Sequence, residues 1–544
     1  MGIMRIGIMR RFDWLILSLL ALWLLGWVAF AWPAVQDDAF IHLRYADNLY
    51  LHHTVSYNAL EPSYGASSLL YIGLLAVLRA FFASPDLAHA TSVAFHLLLF
   101  AGVTALFWIH LSRASQLVRL LGFVLLGLLV VPSAVRWLED GMETGLVLCA
   151  TSLICVLVFR ETGAASRSAL AYLALLCLGF FTVLLRTELL LLCAGCCLLL
   201  TLRRAQTGAT RLSARSLAGV AMRSSHLFAG GLLACGSIVW RMHTLLPDTA
   251  IAKSLGPGDW KWVLLNTAIT LGGAFSFGLG MLFFWLLTLI VLASRGRGIT
   301  TSALIPNLFF PTVLLLSALR GQMIQGVRYF CWTLFFAALW NILELSGLPA
   351  ETPRRSRSDL LIYAFLVLLA LDLPIETITM HRVLENRVGT VRRFEAQHLE
   401  QLHDEHGVAS DIGYIGYFTR ARLCDLAGLV NGRAAARLTR LERAQACVAT
   451  QPDFIFGSPG QLDLLAELMD LRDWQICGRY DLVNVSTLDE HYLIAPPRLA
   501  AKTCQATGNQ PVPLTSLLQL GTPSPPPQTK KEDPELRNFP SGEN

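Results

Sequence analysis

The chain has 544 residues, 54% of them hydrophobic, with 43 Lys plus Arg against 38 Asp plus Glu, a net charge of +5 and a mean hydropathy of +0.53. Charged residues make up 15%, where soluble domains carry roughly 25%, so the polar surface that soluble cores of this length require is missing. A soluble globular enzyme is excluded, and so is disorder over most of the chain.

The charges are unevenly spread. The last 169 residues, from Glu376, hold 17 basic and 21 acidic residues, while the first 375 hold 26 and 17. The sequence therefore divides into an apolar membrane part, residues 1–375, and a polar part, residues 376–520, with a tail from 521 to 544. The basic excess sits in membrane loops and is no argument for nucleic acid.

A spanning helix needs about 20 mostly apolar residues. Twelve candidates start near Trp14, Ser67, Ser92, Arg119, Met142, Ser168, Glu188, Leu227, Gly273, Ser302, Tyr329 and Asp359. Trp14–Trp32 follows Arg5, Arg10 and Arg11 and lacks a small-residue cleavage site, so it reads as a retained anchor. Loops rich in Arg stay in the cytoplasm. The Arg203–Arg223, Arg295–Arg297 and Arg354–Arg357 loops therefore place Leu246–Trp262, Arg320–Arg328 and everything after Leu373 outside. An inside N-terminus and an outside C-terminus require an odd number of spans. Ser67–Phe82, short and containing Arg79, is the weakest candidate, and 11 to 13 spans are expected.

The loop after the first span begins Gln36-Asp37-Asp38-Ala39-Phe40-Ile41-His42-Leu43-Arg44. Phe40, Leu43, Ala46 and Leu49 recur at helical spacing, which predicts a short amphipathic helix on the membrane surface. Asp37 and Asp38 stand at its N-terminus, where negative charge is favoured. In an exposed loop such a pair is ordinarily a helix cap. Ionisable groups at a membrane interface, with His42 and Arg44 close behind, instead mark a functional site.

Six segments carry a family resemblance. They are Asp37–Ala46 with Tyr57-Asn58 and Tyr64–Leu70; Gly141-Met142-Glu143-Thr144; Arg186-Thr187-Glu188; Leu246-Pro247-Asp248-Thr249 through Lys253; Val327-Arg328-Tyr329; and Asp411–Tyr417 with Asp425–Leu429. In this order they resemble a group of bacterial GT-C glycosyltransferases that includes mycobacterial terminal arabinofuranosyltransferases and proteins labelled flagellar motor control protein ZomB. Thr187, Asp248 and Val327 depart from the usual Pro, Asn and Gly.

The resemblance implies a polytopic α-helical membrane protein of GT-C type with a small extracytoplasmic α/β domain. It implies transfer of a sugar from a polyprenyl-phosphate carrier to a cell-envelope glycan, at the outer face of a bacterial inner membrane. Asp37 or Asp38 is the expected general base, since an acceptor hydroxyl needs a positioned group to take its proton. Arg44, Arg186, Lys253 and Arg328 are the expected partners of the departing lipid phosphate; Arg44 and Arg328 at the interface would otherwise snorkel, and Lys253 would be a solvated charge. Glu188 is expected to pair with Arg186, and Glu143 either pairs with Arg136 or Arg186 or joins the site, as does His42.

His42, His52 and His53 leave a divalent ion conceivable, but no spacing matches a closed metal site, and no cofactor is expected. No Walker, Rossmann or Ser-His-Asp signature occurs. Arg382–His403 reads as a helix, Gly413–Gly416 as a turn, and Asp453–Gly457 and Tyr492–Ala495 as strands. Of twelve Cys, four (Cys424, Cys447, Cys477 and Cys504) fall in the outer domain and permit one or two disulfides with three connectivities. The tail, rich in Pro, Ser, Lys and Glu, is expected to be disordered. A secondary transporter is the alternative class, disfavoured by the absence of repeats and of midplane charges; a non-catalytic assembly factor on the same fold is a third.

Overall fold

The computed structural model describes residues 11–111, 114–161, 169–207, 224–254, 260–272, 275–294, 301–320, 327–347, 357–483 and 488–515. Arg5, Arg10, Arg211, Arg215, Arg223, Arg295, Arg297, Arg354, Arg355 and the 521–544 tail lie outside these.

Apolar helices fill the first two thirds of the chain. By length and composition Phe12–Phe30, Leu87–Leu111, Phe277–Ser294 and Leu360–Glu395 are each sufficient to cross a membrane. Gln116–Val130 and Pro132–Leu138 make a fifth crossing if the pair, bent by 62°, is one span. Pro132 stands at that break, where its missing N–H and its ring interrupt the helical ladder. Six shorter apolar helices accompany them among the described residues, so the 11 to 13 spans read from hydropathy remain an expectation. Leu69–Arg79, inside the weak candidate Ser67–Phe82, has 11 residues, about 16 Å of helix against a core of about 30 Å.

The long helix Arg357–Glu395 runs 39 residues without a break, through Pro374. The domain boundary expected between residues 375 and 376 therefore falls inside a helix. Composition changes there, but the helical period does not: Leu384, Val391 and Phe394 continue a buried face. This helix ties the membrane part to a six-stranded sheet of order β2-β1-β3-β5-β4-β6. Its strands are β1 His406–Ala409, β2 Arg422–Asp425, β3 Phe454–Gly457, β4 Gln475–Val483, β5 Leu488–Ala495 and β6 Val512–Pro513. The first three are parallel, β5 pairs antiparallel with β3 and β4, and β6 closes the edge antiparallel to β4. Disulfides join Cys424 to Cys447 and Cys477 to Cys504. They close segments of 23 and 27 residues, each worth about 3–4 kcal/mol in the chain-entropy account.

Two local expectations are corrected. The Asp37–His52 helix does not lie on the membrane surface, because every residue from Ala39 to Asn48 is buried. Its polar face is covered by the sheet domain, which supplies carbonyls to Arg44 and to the nearby Asn58. Gly413–Gly416 is not a turn but part of a helix, Ile412–Thr419. Its two glycines allow close approach: a Cβ at Gly413 would run into the Asp37 main chain, and one at Gly416 into the Tyr57 hydroxyl. Phe40 packs on Tyr414, Tyr417 and Phe418, and Phe394 stacks on Tyr414 at 5.1 Å and on Tyr480 at 4.8 Å. One aromatic cluster thus fastens four elements together: the Asp37–His52 helix, the Ile412–Thr419 helix, the long helix and β4.

Candidate active site

The Asp37–His52 helix starts at the junction, and its first two carboxylates point to different partners. Asp37 accepts the amides of Gly413 at 2.9 Å and Tyr414 at 2.7 Å. It thereby caps the Ile412–Thr419 helix of the sheet domain, where unpaired N–H groups favour an anion. Burial and the nearby Asp411 carboxylate push Asp37 up, to about 8, against the pull of those amides.

Asp38 faces the membrane part. Its Oδ2 meets the Arg328 guanidinium at 2.5 Å, and its side chain keeps 26% of its exposure. Burial opposes ionisation, but Arg328 and Lys253 outweigh it and hold Asp38 below the usual carboxylate range. Arg328 is 5% exposed and also lies over Tyr329 at 5.4 Å.

Around this pair three more chain segments converge, together with His42 of the same helix. Arg186, 1% exposed, donates to the Arg328 carbonyl at 3.0 Å, lies over Tyr329 at 4.6 Å and pairs with Glu188 at 2.7 Å. Glu143 is fully buried, with Arg186 at 3.6 Å and His42 at 3.9 Å. His42 Nδ1 faces the Asp38 carbonyl at 3.1 Å. Burial depresses the His42 imidazole, whereas Arg186 and His42 overcome burial to keep Glu143 ionised. Lys253 bears on both Asp38 and Tyr329.

The geometry brings Asp37, Asp38, His42, Glu143, Arg186, Lys253 and Arg328 to one place, and it removes Arg44. The Arg44 nitrogens donate to the carbonyls of Tyr57 at 2.8 Å, Gly416, Ala421 at 2.7 Å and Arg420 at 3.3 Å, over the Tyr57 ring. Arg44 is a clamp between the Asp37–His52 helix and the sheet domain, with all three nitrogens already engaged. His52 and His53 end that helix, about 20 Å from Asp38 at 1.5 Å per residue, so they cannot share an ion with it. Among the described residues no group of three or more His, Cys, Asp or Glu converges as a metal-binding set.

Two participants escaped sequence reasoning. Arg387, 3% exposed, comes from the long helix and bears on Tyr414, Asp140, Arg328 and Asp38. Nothing in the sequence distinguishes it from Arg382, Arg392 and Arg393. Asp140 is fully buried, and burial pushes it up to about 7. An acidic pair, Glu139-Asp140, inside an apolar stretch was the signal available. Several buried atoms here have no hydrogen-bond partner among the described residues: Glu143 Oε1 and Oε2, Asp140 Oδ2, His42 Nε2, Arg328 Nη1, and Arg387 Nε and Nη1.

A family model described as a domain of unknown function (DUF8728) matches residues 378–502, the C-terminal part of the long helix and most of the sheet domain. No curated protein matches the chain. Among solved structures the chain is similar to ArnT from Cupriavidus metallidurans bound to undecaprenyl phosphate. That likeness has 10% identity over 88% of this chain and 98% of that one, with a TM-score of 0.49. It is similar also to the apo oligosaccharyltransferase of Archaeoglobus fulgidus, at 11% identity over 87% and 74%, with a TM-score of 0.49. Likenesses of this size carry no argument about function, which rests on this chain's own residues.

Proposed function

We propose that the chain is an integral membrane glycosyltransferase that moves a sugar from a polyprenyl-phosphate carrier to an extracytoplasmic glycan, with Asp38 as general base. The observation that carries this reading is the part-exposed Asp38–Arg328 pair, 2.5 Å apart. It sits in a cluster of buried charges between apolar helices and a polar domain. A carrier tail stays in the bilayer while its phosphate meets Arg328, Lys253 and Arg186. The motif resemblance supplies the reaction class and the donor.

In the step proposed, the acceptor hydroxyl oxygen attacks the anomeric carbon and its proton passes to an Asp38 oxygen. The bond from that carbon to the phosphate oxygen breaks, and its electron pair leaves with the lipid phosphate. Arg328 keeps Asp38 ionised at rest. An arriving phosphate competes for the same guanidinium, and a carboxylate released from that partner is a stronger base. Asp37, with both oxygens on backbone amides, is a positioning residue. The site faces outward and the N-terminus lies in the cytoplasm, a sidedness that two disulfides in the outer domain suit.

The test is Arg328→Lys in the purified full-length protein, assayed with polyprenyl-phosphate sugars in nanodiscs. A planar guanidinium matches two phosphate oxygens at once and an ammonium does not. Transfer should fall sharply with membrane insertion intact; unchanged transfer would make Arg328 an interfacial anchor.

A further inference from the structure

We infer that the sheet domain holds the acceptor: a cleft at the carboxyl ends of its parallel strands binds a neutral, hydroxyl-rich oligosaccharide. The inference rests on the glycosyltransferase reading and adds a second binding site to it. From β1 the chain passes through the Ile412–Thr419 helix to β2 on one side. From β3, on the other side of β1, it passes through the Pro459–Ala466 helix to β4 beyond β5. The connections diverge between β1 and β3, and open α/β sheets bind ligands in the crevice at such a switch point.

A cleft of about 630 Å³ opens there. Ser410 and Asp411 line it after β1, Ser458 and Gln461 after β3, and Asp489 and Glu490 at the start of β5. His491, 3% exposed, stacks on Phe456 at 5.4 Å and holds Asp411 Oδ2 at 2.6 Å. Ser410 donates to the same oxygen at 3.2 Å, and the Asp411 side chain keeps 42% of its exposure. A fixed carboxylate beside hydroxyl and amide groups suits the hydroxyls of a sugar, which donate to carboxylates and accept from Ser and Gln. Asp489 and the half-exposed Asp411 disfavour phosphate, sulfate and uronate groups, while Glu490 is held by Arg479.

The position of the cleft matters as much as its lining. Asp411 directly precedes the helix whose Gly413 and Tyr414 amides hold Asp37. The wall of the cleft therefore stands beside Asp37, one residue from the base. An oligosaccharide seated against Asp411 presents its end hydroxyl toward Asp38 from the polar side, while the lipid carrier arrives from the apolar side.

The test uses the full chain in nanodiscs and saturation-transfer NMR with soluble pentose and hexose oligosaccharides, and uronic-acid oligomers as the anionic control. At least one neutral oligosaccharide should bind and the uronates should not. Asp411→Asn and Glu490→Gln, each checked for unchanged melting temperature, should weaken binding about tenfold. Should either variant unfold, Asp489→Asn replaces it. Asp38→Asn should lose transfer and keep this binding. The inference is overturned if no neutral oligosaccharide binds the wild type, if stable cleft variants bind as well as wild type, or if binding disappears with a chelator, which would assign the carboxylates to a cation. Binding in the cleft by a protein that transfers no sugar would instead sink the glycosyltransferase reading alone.

Discussion

The sheet domain and the charged floor beside Asp38 treat their most buried polar groups differently. In the sheet domain Asp425 is 1% exposed, and its carboxylate accepts the amides of Ala427 at 2.8 Å, Leu429 at 2.5 Å and Val430 at 3.2 Å. Asn58, buried at the junction, both donates to and accepts from the Leu423 backbone at 3.0 Å. In the floor, Glu143, Arg328 and Arg387 are also buried, yet each keeps at least one atom with no hydrogen bond among the described residues. Satisfied buried groups specify a fold. Unsatisfied ones cost stability, and ionisable groups with shifted titration gathered in one place mark a candidate functional site.

That contrast is breakable by mutation. The largest effect is expected for Asp38→Asn. It removes the base and should lower transfer by about 10²–10⁴-fold with the melting temperature unchanged. Full activity would end the catalytic claim for Asp38. Next is Arg44→Met at the junction, which deprives several main-chain carbonyls of their donor and should cost about 1–3 kcal/mol, read as a lower melting temperature. Lipid-phosphate binding by the folded fraction should be unaffected; a selective loss of that binding would return Arg44 to the site.

The smaller effects concern pH and sharpen the difference between the two aspartates. Asp38 is held below its ordinary range in the free protein, so kcat/KM, which reports that state, should show no acid limb from it above about pH 4. Asp37 is raised to about 8. Between its ordinary value and that one the folded protein binds the extra proton, so stability should fall as pH rises through this window. Asp37→Asn should flatten that slope. An acid limb in transfer near neutral pH that vanishes in Asp37→Asn would exchange the roles assigned to the pair.

Much of this arrangement was legible in the sequence, because short-range patterns carry it. The Asp pair, Glu143, Arg186, Lys253 and Arg328 each sit in a motif that names them, and the strands at Phe454 and Tyr492 announce themselves by apolar runs. What the sequence does not display is where a side chain finds its partner. Arg44 stands in the same motif as Asp38, yet folding turns it toward the carbonyls of residues some 370 positions away. The division of labour between Asp37 and Asp38 was equally hidden, since it depends on which faces the amides of Gly413 and Tyr414. Arg387 came from a helix whose charges look solvent-facing until the sheet domain folds against it.

The most direct measurement is a structure of the full-length protein with a polyprenyl phosphate bound in nanodiscs, determined by electron cryo-microscopy. Phosphate density is expected within about 3.5 Å of the Arg328 guanidinium, with the Asp38 carboxylate released and facing the cleft beside Asp411. Phosphate density away from Arg328, with the Asp38–Arg328 pair still closed, would contradict the account.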